Sequence, residues 1–295
     1  MNLTIGKNVA LAIMFASLAA CSTPSVVKDI FGGGSTSTNA ASTGGALSPD
    51  LGAAGAGDPV ATMYNSGLDK LNSGSYKAAA KSFAEVERQH PYSKWATKAL
   101  LMQAFANYQN NSYDDAINAA NRFITLHPGH KDSPYAYYLV ALSQYEQISD
   151  VRRDQSSTKK ALEALDEVSK RFPESPYAVD AAKKSIKAKD HLAAKEMEVG
   201  RYYLKQGSYL AGINRFKTVV TDYQTTTQVP EALYRLAEGY MALGVVSEAQ
   251  TAAAVLGHNY PNSEWYKDAY ALVSSDGKQP VEDRGSWLSR LFKGA

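Results

Sequence analysis

From Pro59 onward, apolar and polar residues follow one another with the period of an α-helix. Apolar side chains recur three or four positions apart, as expected where one helix face packs against a neighbour. The successive stripes are Tyr64, Leu68 and Leu71; Ala79, Ala80, Phe83 and Val86; Leu100, Ala104 and Tyr108; and Ala116, Ala120, Phe123 and Leu126. Runs of β-branched residues are rare. The pattern predicts an all-α fold.

The stripes belong to a sequence repeat. The segment GSYKAAAKSFAEVERQHP at 74–91 is similar to NSYDDAINAANRFITLHP at 111–128. Three weaker copies follow, and the five copies close on an aromatic residue or histidine at 90, 127, 172, 223 and 260. These steps of 37, 45, 51 and 37 residues exceed the tetratricopeptide period of about 34. We therefore predict a tetratricopeptide-like superhelix of about five helix-turn-helix repeats with a concave surface.

Turn and cap residues divide the array. Glycines between paired helices predict turns, and serines before proline predict helix starts; these residues are Gly74, Gly207, Gly244, Ser133 and Ser175. The array is expected over 59–274, with three repeats at about 59–174 and two at about 195–274. Residues 175–206 between them predict one long helix or two nearly continuous ones. Residues 148–157 predict a polar loop in the third repeat.

The N-terminus carries a predicted export signal. Val9 to Ala20 is a run of twelve uncharged residues, too short to span a bilayer but typical of a signal peptide. Leu18-Ala-Ala-Cys21 fits the bacterial lipobox, so we predict a signal peptide at 1–20 and lipid on Cys21, the only cysteine. A plain cleaved signal and a buried free cysteine are the alternatives. Ser22, rather than Asp, favours sorting to the outer membrane.

The two segments flanking the array differ from it in composition. Residues 21–58 are rich in Gly, Ser, Thr and Ala, which predicts a flexible lipid-anchored linker. Residues 275–295 predict an amphipathic tail, in which Trp287, Leu288, Leu291 and Phe292 lie among basic residues. The tail could dock on a partner or a lipid surface. It could also pack on its own last repeat, or nowhere.

Charge and motifs favour no chemistry. The chain has 31 Lys and Arg against 29 Asp and Glu, which argues against nucleic acid as a partner. Nucleophile-elbow, metalloprotease and phosphate-loop motifs are absent from the sequence. His127 and His130 alone are too few ligands for a metal site. We expect no catalytic residues, no metal and no cofactor apart from the covalent lipid.

Three phrases, together with the lipobox and the linker, resemble a known family. They are NRFITLHPGH at 121–130, FPESPYAVDAAKKSIKAKDHLAAKE at 172–196 and VGRYYLKQGSYLAGINRF at 199–216. They are similar to the BamD family, the repeat lipoproteins of the outer-membrane β-barrel assembly (BAM) machinery. The resemblance covers about Val60 to Ser274. The linker is longer than expected for that family, and the tail is an addition.

The resemblance implies a scaffold on the periplasmic face of the outer membrane. Its partners would be the periplasmic domains of the barrel-forming subunit, other assembly lipoproteins and unfolded outer-membrane proteins. Asn214 and Arg215 match the contact region for the barrel-forming subunit, although Arg215 could equally be a solvated charge. We assign the groove for targeting signals to aromatic side chains, each of which could also belong to the core: Tyr64, Trp95, Tyr108 and Tyr135.

Other functions remain open from the sequence. The main alternative is a repeat lipoprotein scaffold of pilus assembly or envelope constriction. That scaffold is expected to hold closer to the 34-residue period and to lack KDHLA leading to NRF. A lipid-anchored envelope enzyme would need a convergent catalytic cluster, and a periplasmic solute-binding protein would need strand–helix alternation.

Overall fold

The computed structural model describes residues 58–274 and 279–293. Within these residues the chain forms twelve α-helices and no strand. Their bounds are α1 Pro59–Asn72, α2 Tyr76–Gln89, α3 Lys94–Gln109, α4 Tyr113–Leu126, α5 Ser133–Tyr145, α6 Ser156–Arg171, α7 Pro176–Lys205, α8 Tyr209–Asp222, α9 Val229–Ala242, α10 Val246–Asn259, α11 Glu264–Val273 and α12 Trp287–Lys293. The all-α prediction is confirmed.

The helices form antiparallel pairs stacked into two layers. Each second helix, such as α2 or α4, packs between the first helices on either side of it. The first helices also contact one another in series, from α1 through α3, α5, α7 and α9 to α11. Because the first helices touch and the second helices are spread apart, the layer of first helices is the inner, concave side of a tetratricopeptide-like array.

The five closing residues of the sequence repeat share one position in the fold. Each is the residue at which a second helix ends, with φ between −126° and −134° and ψ between 41° and 59°. Each donates its backbone N–H to the carbonyl four residues earlier, which completes the last turn. These residues are His90, His127, Phe172, Tyr223 and Tyr260. The spacing read from the sequence is therefore the spacing of the second helices.

The turns within pairs use the left-handed backbone conformation. Gly74, Gly207 and Gly244 have φ of 75°, 71° and 75°, so the predicted turn glycines are confirmed. Asn111 occupies the equivalent turn of the second pair with φ of 59°. Asparagine is one of the few other residues that adopts this conformation readily. In the sequence, Asn111-Ser112 stands at this turn, in the place that Gly74-Ser75 takes in the first pair.

Two local predictions need correction. Ser175 caps α7, since its Oγ accepts a hydrogen bond from the Tyr177 N–H, but Ser133 does not cap α5. Ser133 is the first residue of α5, and its Oγ donates to the carbonyl oxygen of His127 at 3.0 Å. Leu126 is 58% exposed rather than part of the buried stripe, because it lies at the last position of α4.

α7 is a single helix of 30 residues. Its first part packs against α6 and its second part against α8, so one rigid element joins the two blocks of pairs. Gly200 lies in its second part, where an added Cβ would come within 2.5 Å of the Phe216 ring. The same arrangement joins Gly67 of α1 to Phe83 of α2, at 2.6 Å. Glycine in these helices is required by close packing of an aromatic ring.

The C-terminal segment, residues 279–293, packs on the protein's own last repeat. Its helix α12 contacts α10, and Leu288 is fully buried in the hydrophobic core of the C-terminal pairs. Trp287, Leu291 and Phe292 lie partly buried against the same core. Of the arrangements considered from the sequence, the structure therefore shows packing on the last repeat.

Candidate functional site

The predicted lipidation site lies outside the described residues. Cys21, the signal peptide at 1–20 and all of the linker except Asp58 fall in the part of the chain that the structure does not describe. Among the described helices, none is both long enough and apolar enough to cross a membrane.

Three of the four predicted groove residues belong to the core. Tyr64, Trp95 and Tyr135 are only 1%, 6% and 4% exposed, so they do not line an open groove. The Tyr64 ring lies 5.1 Å from that of Trp95, and the Tyr135 ring lies 5.3 Å from that of Tyr177. The physical reason is that the first helices pack both against second helices and against one another. Little of the surface of a first helix therefore stays open. The apolar stripe in the sequence does not show which side chains lie on that open part.

Tyr108 is the fourth predicted groove residue, and it is half-buried on the inner layer. Its ring lies 6.0 Å from that of Tyr113. Burial, followed by the nearby Glu146 carboxylate, raises the pKa of the Tyr108 hydroxyl. The Tyr108 hydroxyl therefore stays protonated well above physiological pH, and it interacts with the Glu146 carboxylate.

The neighbours of Tyr108 form a surface that we call the tyrosine face. It comprises side chains of α3, the start of α4, the end of α5 with the residue that follows it, and α7: Tyr108, Tyr113, Tyr145, Glu146, Asp180 and Lys184. Tyr138 of α5, only 7% exposed, belongs to the core and contacts this face through Asp180. Tyr138 donates to Asp180 Oδ2 at 2.5 Å, and Lys184 Nζ donates to the same oxygen at 2.7 Å. The Lys184 ammonium also lies 5.9 Å from the centre of the Tyr145 ring. The face thus combines aromatic rings, neutral hydroxyls and two carboxylates.

Asn214 and Arg215 lie on α8, and both are exposed. Arg215 Nη1 pairs with Glu196 Oε2 of α7 at 3.1 Å, so the guanidinium is held at the junction of the two helices. With 45% of its side chain exposed, it remains accessible to a carboxylate of another protein. The structure brings Asn214 and Arg215 to one helix, far along the chain from the tyrosine face.

A basic cleft adjoins Arg215, and the sequence analysis missed it. It is lined by Arg152, Arg153, Lys159, Lys195, Glu196 and Tyr223, among others, and has a volume of about 450 Å³. Glu196 is therefore both the partner of Arg215 and part of the cleft wall. The only available signal was the pair Arg152-Arg153 in the polar loop, and the pattern did not indicate where that loop folds.

Gln155 holds the loop of the basic cleft in place. Its Nε2 donates to the carbonyl oxygens of Asp150, Val151 and Arg153 at 3.2, 3.2 and 3.0 Å. The loop is also fixed to α7, since Lys195 Nζ donates to the carbonyl oxygen of Arg152 at 3.1 Å. Gln155, which is only 9% exposed, thus organises a loop that the sequence predicted only to be polar.

Ion pairs line the inner layer of the C-terminal pairs. Arg201 pairs with Glu231 at 2.9 Å, and Arg235 pairs with Glu231 at 3.3 Å and Glu238 at 2.8 Å. Arg235 also stacks over Tyr234, its carbon Cζ lying 5.1 Å from the ring centre. Within the described residues there is no group of His, Cys, Asp or Glu that could hold a metal ion.

Comparison with known proteins gives a consistent set of relatives. Residues 57–256 match the family described as "YfiO: Outer membrane lipoprotein". The chain is 48% identical over 223 residues to "Outer membrane protein assembly factor BamD" of Caulobacter vibrioides, covering 76% of this chain and 73% of the relative. It is 47% identical over 217 residues to the protein of that name from Rickettsia prowazekii, covering 74% and 86%. A thermophilic TPR protein of Thermus thermophilus is similar in structure, at 17% identity and a TM-score of 0.32, covering 72% and 98%.

Proposed function

Because the chain belongs to the BamD family of outer-membrane protein assembly factors, we propose that it is a scaffold of the outer-membrane β-barrel assembly complex. In this proposal a lipid on Cys21 anchors it to the outer membrane, and the array works in the periplasm. α8 binds the barrel-forming subunit, and the tyrosine face receives segments of unfolded outer-membrane proteins. The observation that carries the proposal is the exposed pair Asn214 and Arg215 on α8 beside the basic cleft.

The chemistry of α8 favours a partner with carboxylates. Arg215 already binds one carboxylate, and its planar guanidinium has further donors that can bind a second. Arg153 and Lys159 line the basic cleft together with Asp154, whose carboxylate interacts with Lys159, whereas Arg153 has no ion pair among the described residues. The charge of Arg153 is therefore available to an incoming acidic loop, which also gives fast, salt-sensitive association.

The chemistry of the tyrosine face favours an extended apolar segment. A strand of an unfolded barrel protein alternates aromatic or aliphatic side chains with polar ones. Aromatic rings provide contact area with few rotatable bonds, and neutral hydroxyls can satisfy peptide groups. Tyr108, Tyr145 and Glu146 present both kinds of group on the inner layer. The proposed site for these segments is therefore the tyrosine face, in place of the buried residues Tyr64, Trp95 and Tyr135.

The lipid anchor rests on the lipobox alone. Metabolic labelling with a palmitate analogue tests it: the wild-type protein incorporates the label, and a Cys21→Ser variant does not. A labelled Cys21→Ser protein, or an unlabelled wild-type protein, would contradict the anchor without bearing on the two binding surfaces.

A pull-down tests the partner. The tagged protein is purified in detergent from its own envelope, beside Arg215→Glu and a matched control, Lys81→Glu, which reverses an exposed charge on α2. We expect a large β-barrel protein to co-purify with the wild type and the control and to be lost from Arg215→Glu, with circular dichroism unchanged. Pilus or cell-wall proteins in its place would support the alternative scaffold and overturn the proposal.

Peptide binding tests the tyrosine face. Peptides from the C-terminal strands of outer-membrane proteins should bind Tyr145→Ala several-fold more weakly than the wild type. Tyr92→Ala is the matched control, because Tyr92 is fully exposed in the turn between α2 and α3. Equal binding by the folded wild type and Tyr145→Ala would remove this part of the proposal and leave the role of α8 standing.

A further inference from the structure

The C-terminal segment, residues 279–293, is built into the fold although it lies beyond the residues that match the family. Three hydrogen bonds tie it to the last pair. The Asp283 N–H donates to Thr251 Oγ1 at 3.0 Å, and Ser286 Oγ donates to Glu248 Oε2 at 2.7 Å. The Trp287 indole N–H points toward the Tyr240 hydroxyl at 3.3 Å. With Leu288 fully buried, the segment has a defined place in the structure.

Trp287 connects this segment to α8. The ammonium of Lys217 lies 4.6 Å from the centre of the Trp287 ring, within the range of a cation–π interaction. Lys217 belongs to α8, whereas Tyr240, the other polar neighbour of Trp287, belongs to α9. Trp287 thus spans from the last pair to the helix that carries Asn214 and Arg215.

Helix geometry places this contact at the edge of the proposed binding surface. Residues three apart are neighbours on a helix surface, so Asn214 and Lys217 lie side by side. Residues two apart point in widely different directions, and Arg215 accordingly reaches the opposite edge, where it pairs with Glu196. The exposed strip of α8 is therefore bounded by Arg215 on one side and by Lys217 with Trp287 on the other.

α12 contributes one exposed cation close to Trp287. Arg290 is exposed and lies one turn after Trp287, whose ring contacts the Lys217 ammonium. Two carboxylates of this region accept hydrogen bonds. Glu248 of α10 accepts from Ser286, and Asp283 Oδ1 accepts from the Gly285 N–H at 2.8 Å. The surface made by α8 and α12 therefore presents the cations of Arg215, Lys217 and Arg290.

We infer that the C-terminal segment forms a second wall of the surface on α8, so that one acidic region of the barrel-forming subunit contacts α8 and α12 together. Trp287 is a positioning residue in this arrangement, and Arg290 is a contact residue. The inference rests on the proposed function of α8. It goes further by assigning part of the binding surface to a segment outside the family match.

Site-specific photo-crosslinking and affinity measurements test the inference. A photo-reactive amino acid at position 290 should crosslink to the barrel-forming subunit in the native complex, and one at position 81 should not. Purified full-length protein should bind the periplasmic domains of that subunit about three- to tenfold more weakly after Arg290→Glu, the size typical of a charge at the rim of an interface. Lys81→Glu is the control and should bind like the wild type.

The possible outcomes distinguish a failure of this inference from a failure of the proposed function of α8. If the wild-type protein does not bind those domains, or Arg215→Glu binds as well as wild type, the proposed function fails. If Arg215→Glu is impaired while Arg290→Glu and Trp287→Ala both bind like the wild type, the inference fails and the proposed function stands. Crosslinking from position 290 to another envelope protein or only to lipid would also overturn it. Arg290→Glu leaves the buried side of α12 intact, so its result does not depend on a folding defect.

Discussion

The two ends of the array use the same helical repeat to present different chemistry. In the first three pairs, the inner layer carries a cluster of tyrosines, and burial raises the pKa of the Tyr108 and Tyr138 hydroxyls. In the C-terminal pairs, the exposed surfaces carry arginines paired with glutamates, such as Arg215 with Glu196 and Arg235 with Glu238. The comparison teaches that the repeat fixes the scaffold, while the residues on its open surfaces decide what each end can bind.

Both halves nevertheless share one packing arrangement in the core. Disrupting it should cause the largest loss of stability among these predictions. Phe216 and Phe83 are fully buried against the glycine of the preceding helix. Replacing either with alanine should cost about 3 to 5 kcal/mol of unfolding free energy. In single-tryptophan variants, Phe216→Ala should lower the urea midpoint reported by Trp265, and Phe83→Ala the one reported by Trp95. Equal shifts at both tryptophans would mean that α7 makes the array one cooperative unit.

Within residues 58–274 and 279–293, the C-terminal segment is an added element packed on one end of the array, and its loss should have the second-largest effect on stability. Leu288→Ala removes a fully buried side chain and should cost about 2 to 4 kcal/mol. Val281→Ala in the same segment is the control, because Val281 is 65% exposed and its loss should cost less than about 0.5 kcal/mol. Thermal melting monitored by circular dichroism compares them. A Leu288→Ala melt matching the control would show that the segment does not stabilise the last pair.

The sequence predicted the scaffold better than the surfaces, and the difference has a physical cause. Helical period and the closing residues are set by local rules, so His90 and its equivalents marked the helix ends correctly. Burial of Tyr64 or Tyr135 depends on which helices pack around them, which the period does not reveal. The basic cleft depends on a loop that Gln155 organises and that Lys195 fixes to α7, and the sequence carried no sign of these contacts.

Salt should separate the two binding activities. Association through α8 relies on charges, so it should weaken markedly as salt rises to about 1 M, where the screening length falls to about 3 Å. Binding at the tyrosine face relies mainly on ring contacts and should change much less. Isothermal titration of the barrel-forming subunit's domains and of client peptides across the same salt series compares the two. Parallel loss of affinity in both would contradict the division between the halves.

The smallest expected effect concerns the partly exposed ionic contact between Asp180 and Lys184 on the tyrosine face. Burial opposes ionisation of Asp180, but hydrogen bonds from Lys184 and Tyr138 outweigh it and lower the pKa of the carboxyl. A carboxyl whose pKa is lower in the folded state stabilises the fold above its unfolded pKa of about 3.9. That stabilisation is lost as pH falls through the folded value. Asp180→Asn should therefore destabilise the protein at neutral pH by at most about 1 kcal/mol, since the side chain is partly exposed.

The pH dependence distinguishes this ionic contribution from a simple packing defect. The difference in unfolding free energy between wild type and Asp180→Asn, measured in urea, should be largest near neutral pH and shrink below about pH 3.9, where the unfolded-state carboxyl takes up its proton. Tyr138→Phe removes one of the two donors and should produce a smaller difference with the same sign. A difference that stays constant across this range would show that the charge of Asp180 contributes nothing. The tyrosine face would then be held together by ring packing alone.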